Sequence, residues 1–283
     1  NTKWINITQI QRTWEQMMLT YEYGVRELWV VNVGDLKPME YPITFFLDMA
    51  WNPGRFNENN LFQHTVDFCK QQFGGNYAEE AARLIDTYTK YNRRVTPEML
   101  NDRTYSLENY DEWRRVKDDY AALSLDALKL YYLMPAGYRD TFDQLVLFPI
   151  QACANLYDMY YAVAMNRKLA EENNVQANKW ADKARACFER DSVLTYHYNH
   201  IMSGGKWNHI MDQTHFYHLI HIQLWEFVPQ QKRHQRDAPA VLRDALVPSA
   251  GRVAVARHVL EPLRRVQNLQ QLHRFHSNTP CHL

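Results

Sequence analysis

From about Asn60 to Asn199 the apolar residues recur at three- and four-residue steps almost without interruption. This commits half of the 283-residue chain to long helices. Leu61 to Phe73 reads as one helix, ended by Gly74-Gly75. Tyr77 to Asn92 is a second, with Ala81, Leu84, Ile85 and Tyr88 on one face. Thr96-Pro97-Glu98 opens a short third, with proline at a favoured first-turn position. Leu107 to Leu133 is a long fourth behind a weak cap at Ser106. Tyr138 to Asn166 is a fifth, apolar nearly all round and expected to kink at Pro149, and Val175 to Asn199 is a sixth. Long helices with short connections predict an antiparallel bundle.

The preceding residues follow another rule. Thr8 to Tyr23 reads as a helix on Ile10, Trp14, Met17, Met18 and Tyr21, capped by Thr8 and ended by Gly24. Leu28 to Val31 is apolar, β-branched and aromatic without alternation, the pattern of a strand buried on both faces. Asn32, Gly34, Asp35 and Lys37 follow at once, and Pro38 closes the turn. Tyr41-Pro42 then begins a helix halted by Asn52-Pro53-Gly54. A buried parallel strand presenting an amide, a carboxylate and an ammonium at its C-terminal end is how α/β barrels and open sheets display functional groups. The same residues also suit a helix-capping loop. One strand between two helices is too little for a domain. With no initiator Met and no signal peptide at Asn1, the chain reads as processed or as a piece of something longer.

Composition narrows the function classes. Hydrophobic content of 46% and aromatic content of 13% indicate a globular chain, and a formal net charge of zero gives no general attraction to nucleic acid or anionic membrane. No run of about eighteen apolar residues reads as a membrane span. Cys69, Cys153 and Cys187 sit in apolar helical patterns and are expected as buried free thiols, while Cys281 lies far from them.

Six of the twelve histidines fall between His197 and His221. His215, His218 and His221 recur every three residues, whereas zinc helices place two histidines four apart with an acid between, so no metal is assigned. A richer constellation is Ser203-Gly-Gly-Lys-Trp-Asn-His-Ile-Met-Asp-Gln-Thr-His215. Its glycines permit a tight turn. Lys206, Trp207, Asn208, His209, Asp212, Gln213 and His215 crowd polar groups around an aromatic platform, which suits a sugar. A polar loop bracing the bundle is the equal alternative. Gly204-Gly205-Lys206 is not a phosphate-binding loop, lacking the first glycine and the Ser/Thr after lysine.

Several strings together resemble glycoside hydrolase family 115, the xylan α-1,2-glucuronidases. They are Asn1-Thr-Lys-Trp4, Trp14-Glu-Gln-Met17, Trp29-Val-Val-Asn-Val-Gly-Asp-Leu-Lys-Pro38, Phe46-Leu-Asp-Met-Ala-Trp-Asn-Pro53 and Gly204-Gly-Lys-Trp-Asn-His-Ile-Met-Asp-Gln-Thr-His215. The resemblance runs to about His215. It implies a mostly α chain: a helical bundle preceded by the last α/β units of an incomplete (β/α)8 barrel. The divisions would be 1–56 for the end of the catalytic barrel, 57–228 for the bundle and 229–283 for a basic tail. The implied activity is inverting removal of glucuronic acid, or its 4-O-methyl form, from xylan.

By the same resemblance the principal catalytic carboxylates lie upstream of Asn1, so this chain alone is expected to be inactive. Asn32 would be a substrate or water ligand, with Asp35 and Lys37 beside it. Lys206, Trp207, Asn208, His209, Asp212 and His215 form a second candidate cluster. The implied partner is glucuronoxylan or a glucuronoxylo-oligosaccharide, without cofactor, metal, nucleic acid or membrane. A homodimer and a secreted or periplasmic location are compatible with the parent enzyme. The competing class is a non-enzymatic helical scaffold.

After His215 the chain departs from the family. Of its aromatic residues only Phe275 lies beyond Val228, and residues 229–283 carry eight Arg and one Lys against two Asp and one Glu. An abrupt change where resemblance stops suggests a frameshifted or misjoined tail, in which the histidine triplet and basic run are accidents. Sequencing the transcript is expected to show a frame change near codon 216; an intact frame would remove the idea.

Overall fold

The computed structural model describes residues 4–213, His215 and a pair of two-residue strands. His218, His221, Cys281 and most of the basic tail, and with them the frameshift expectation, lie outside the described residues. Gln223–Leu224 (β1) pairs antiparallel with Ala240–Val241 (β2), Gln223 opposite Val241.

Eight α-helices carry the rest. Ile10–Glu22 (α1) and Glu40–Trp51 (α2) are followed by Leu61–Phe73 (α3) and Ala78–Asn92 (α4). Glu112–Leu133 (α5), Ala136–Phe142 (α6), Phe148–Glu171 (α7) and Ala177–Tyr196 (α8) complete the series. Pro97–Met99 forms only a 3₁₀ turn.

The α5 helix starts later than its pattern suggests, for a backbone reason. Tyr110 and Asp111 have φ of 56° and 53°, left-handed values that cannot continue a helix. The Ser106 hydroxyl nevertheless caps the turn before it, accepting from the Asn109 amide at 2.8 Å, while Glu112 accepts from the Ser106 amide at 2.9 Å.

The expected fifth helix is broken into α6, a π turn at Asp143–Leu147, and α7. Pro149 is the cause available in the sequence. It has no N–H to give Leu145, and its ring crowds that carbonyl, so the wider π turn takes up the misfit. A second π turn, His197–Ile201, follows α8.

The α7 helix is buried over most of its circumference, and with α5 it joins two cores. One core gathers Ile10, Tyr41, Phe45 and Met49 with residues of α3, α4 and α6, the lower half of α5 and Ile150. The other gathers Trp4, Ile5, Trp113, Tyr120 and most of α7 with Ala181, Ala184, Tyr198 and Met211. Residues of α1 and α2 therefore share a core with α3 and α4.

A polar hub sits where the cores meet. The Asn92 amide donates to the Asn6 carbonyl at 3.0 Å, and its oxygen accepts from the Tyr120 hydroxyl and from the Cys153 thiol at 3.3 Å. Burial pushes the Cys153 thiol up to about 12, so it behaves as an inert core group. Cys69 and Cys187 are likewise buried and free.

The expected buried strand is not there. Among the described residues, 26–35 make no backbone-to-backbone hydrogen bond, and Leu28, Val30 and Val31 are 74%, 85% and 45% exposed. A strand needs a neighbour to pair its backbone, and among the described residues none lies alongside. Only one side of the segment is packed: Trp29 lies 6.1 Å from Phe46 of α2 and donates its indole N–H to the Val25 carbonyl at 2.8 Å.

Replacing Asn92 by Ala should lower stability by about 2–4 kcal/mol, since it strands the Tyr120 hydroxyl and the Asn6 carbonyl in the core. Urea unfolding of the variant against wild type measures it.

Candidate functional site

The Asn32–Pro38 loop is built by its own short-range chemistry. The Asn32 side-chain oxygen accepts from the Gly34 amide at 3.2 Å, an Asx turn that leaves its NH₂ group unspent. Gly34 sits at φ 71°, a left-handed value that favours glycine. The Lys37–Pro38 peptide is cis, and the loop then enters α2 at Glu40.

Lys37 does not point free into solvent. It pairs with Glu40, donates to the Gln144 side-chain oxygen at 3.3 Å, and lies 4.1 Å from the Trp207 ring centroid. The Gln144 NH₂ in turn donates to Glu40 at 3.3 Å, so one amide satisfies both members of the ion pair. Asp35 accepts from Gln213. The two clusters singled out in the sequence therefore meet through Lys37–Trp207 and Asp35–Gln213.

The Gly-Gly-Lys-Trp loop reaches this place by an unusual turn. Ser203, Gly204 and Gly205 have φ of 50°, 66° and 78° in succession, which reverses the chain directly after the second π turn. A Cβ at Gly205 would stand 3.2 Å from the His200 carbonyl, so both conformation and space call for glycine. Lys206 then lies 4.6 Å from the same Trp207 ring.

The remaining members disperse. Asn208, His209 and Asp212 form an exposed turn closed by His209 Nδ1 to Asp212 at 2.5 Å. Buried Asn199 donates to Asp212 at 2.7 Å and accepts from the Met211 amide at 3.0 Å. His215 is buried, bonded to both Asp191 oxygens at 3.0 and 3.1 Å and stacked on Trp4 at 4.0 Å.

The two π turns are tied together beside this cluster. His197 Nε2 meets Asp143 at 2.7 Å, and the hydrogen bond to Asp143 raises the imidazole above its ordinary value against the opposing effect of burial. Sequence reasoning missed Glu40, Asp143, Gln144 and His197. The Asp143-Gln144 pair did carry a signal, being a polar break in an otherwise apolar stretch.

On the other side of the segment lies a cavity of about 740 Å³, a size suited to a small ligand. Asn32 lines it with Ile43 and Phe46 of α2 and with Arg93 and Glu98, which follow α4. All of its lining residues fall between Ile7 and Met99. Among the described residues no group of three or more His, Cys, Asp or Glu is arranged to hold a metal, and no helix is long and apolar enough to cross a membrane.

The fold resembles a solved structure described as a novel family GH115 4-O-methyl-alpha-glucuronidase with specificity for decorated arabinogalactans. The TM-score is 0.60 with 25% identity, over 75% of this chain and 28% of that one. The present chain thus spans little more than a quarter of that structure's length. No curated protein matches the chain. The family model for glycosyl hydrolase family 115 matches residues 1–99. Those residues are similar in sequence to family 115. They contain Asn32, Asp35 and Lys37 together with the whole cavity, whereas Trp207 and Gln213, which brace the loop, lie beyond them.

The His197–Asp143 contact predicts a pH dependence. Because the folded imidazole pKa stands above the unfolded value of 6.5, its stabilisation is full below that pH and is lost as pH rises through the folded pKa. Unfolding midpoints of wild type and His197→Gln should therefore differ most below pH 6.5 and converge as the pH rises through the folded pKa.

Proposed function

We propose that this chain is a piece of a family 115 glycoside hydrolase that releases glucuronic acid or 4-O-methylglucuronic acid from a polysaccharide with inversion, and that it is inactive alone. The observation that carries this reading is the coincidence of the family match, the cavity and Asn32 within residues 1–99. Inversion needs two carboxyl groups far enough apart to admit a water. The cavity is lined by a single acid, Glu98, and the nearby carboxylates of Asp35 and Glu40 are engaged by Gln213 and Lys37. The principal catalytic carboxylates are accordingly assigned to residues outside this chain, in the barrel units of which 1–56 would be the end.

Within the proposal Asn32 is the substrate or water ligand, because its NH₂ is unspent while its oxygen holds the turn. Asp35 and Lys37 hold the loop rather than the sugar, as their partners occupy them. Lys206 and Trp207 complete that support, Asn208, His209 and Asp212 close their own turn, and His215 anchors the far end on Trp4. Glucuronoxylan is the substrate that the resemblance implies, and decorated arabinogalactan is the one stated for the solved relative. The exposed face of Leu28 and Val30 supports the same reading, since an apolar segment with an unpaired backbone is suited to a neighbouring strand.

Two measurements test it. The purified chain, folded as judged by a cooperative melt, should release no uronic acid from either polysaccharide; release would place the catalytic acids inside these residues. In a family 115 enzyme carrying this sequence, Asn32→Asp keeps the turn's acceptor and removes its donors. It should cut kcat/KM by roughly 10- to 100-fold, the worth of one hydrogen bond to a charged or developing-charge group. Unchanged turnover would remove Asn32 from the site.

A further inference from the structure

Gln144 meets the chain at the joint on which the width of the cavity depends. Lys37 belongs to the loop after Asn32, whereas Glu40 opens α2 on the far side of Pro38. The ion pair between them therefore spans the point where loop becomes helix. Asn32 lines the cavity from the loop, and Ile43 and Phe46 line it from α2. The angle at this joint sets how far Asn32 stands from the α2 wall.

Side chains must hold that angle, because the segment before the joint makes no backbone-to-backbone hydrogen bond among the described residues. Asp35 is tied to Gln213, and Lys37 lies against the Trp207 ring, but neither contact includes a residue of α2. The Gln144 amide reaches both sides. Its oxygen accepts from Lys37 at 3.3 Å, and its NH₂ donates to Glu40 at 3.3 Å. Gln144 is itself buried, in the π turn Asp143–Leu147, so the clamp is anchored in the helical core.

We propose that Gln144 is a positioning residue, which sets where Asn32 stands against the α2 wall of the cavity. The inference rests on the glycosidase reading for what Asn32 does there and adds the residue that places it. A carboxamide carries its acceptor and its donors on fixed atoms in one plane, so it holds an ammonium and a carboxylate at a set separation. A carboxylate at this position would keep the bond to Lys37 and repel Glu40. A thioether of similar length would make neither bond.

A plainer role is available. A buried amide must find partners wherever it sits, so the two hydrogen bonds by themselves show only that Gln144 is satisfied. Exchanging the two groups separates the roles. In Gln144→Glu with Glu40→Gln, one carboxylate and one amide again surround Lys37, with their places reversed and the net charge unchanged.

The experiment measures backbone ¹⁵N order parameters of residues 31–35 in the 283-residue chain, with α3 as the internal reference. Gln144→Met should loosen 31–35 toward the flexible range, below about 0.6, and leave α3 unchanged. Gln144→Glu should do the same, and adding Glu40→Gln should restore the order. A loop as ordered in Gln144→Met as in wild type overturns the proposal. So does a folded exchange variant whose loop stays loose, and that variant decides the matter if Gln144→Met does not fold. Loosening of α3 together with the loop makes Gln144 a general packing residue and also overturns it. Turnover tells this proposal apart from the reading beneath it. In a family 115 enzyme carrying this sequence, Gln144→Met should lower kcat/KM several-fold, and no further once Asn32→Asp is present. A loosened loop with turnover unchanged in both single variants supports Gln144 as the residue that places the loop and counts against the glycosidase reading of Asn32 instead.

Discussion

A helix buried over most of its circumference dictates where its neighbours go, and α7 is such a helix. From Phe148 to Asn166 only the stripe of Gln151, Ala154, Asp158, Tyr161 and Met165 is half-exposed, so other elements must cover the rest of it. Residues of α5 and α8, the 3₁₀ and π turns beside it, and the N-terminal Trp4 and Ile5 supply that cover. The polar groups α7 brings inside must be answered there. Cys153 reaches Asn92, and Asn155 donates to the Cys187 carbonyl at 2.8 Å. The entry of α7 is equally constrained, because Pro149 in its first turn forces the π turn that places buried Asp143 and Gln144 at the candidate site.

That π turn connects the packing to the chemistry. Gln144 holds the Lys37–Glu40 pair, and Asp143 holds His197 of the second π turn. The loop bearing Asn32 is therefore fixed from the helical region, across more than a hundred residues of sequence. A site supported this way divides its labour. Asn32 and Arg93 line the cavity, and Lys37 is engaged by Glu40, Gln144 and Trp207. The Gly-Gly-Lys-Trp string has the same supporting character, delivering Trp207 against Lys37 from the opposite end of the chain.

Much of this was legible beforehand, and the failures have particular causes. The helices at Leu61–Phe73 and Ala78–Asn92 follow apolar spacing closely, because one-sided burial against the bundle leaves a periodic record. The late start of α5 was hidden, since left-handed Tyr110 and Asp111 have no composition signal as strong as glycine would give. Leu28–Val31 was read as a buried strand on residue type alone. Residue type records the surroundings a segment is suited to, whereas a strand exists only where a partner pairs its backbone. Asn32, Asp35 and Lys37 stood out as a polar burst, but nothing local distinguishes a ligand from a brace. Their partners in the fold, Gln213 and Gln144, are distant in sequence.

The sequence by itself determined the helical character of residues 60–199, the turns that need glycine at positions 34 and 205, the buried state of Cys69, Cys153 and Cys187, and the family strings within residues 1–99. These follow from local periodicity, backbone sterics and side-chain identity, all of which act over a few residues. Only the tertiary structure decided that Lys37 is spent on Glu40, Gln144 and Trp207, that His215 serves Trp4 and Asp191, and that Arg93 lines the cavity beside Asn32. Hydrogen bonds and ion pairs are made with whatever the fold brings within about 3 Å, and that proximity is not written in the spacing of any one segment.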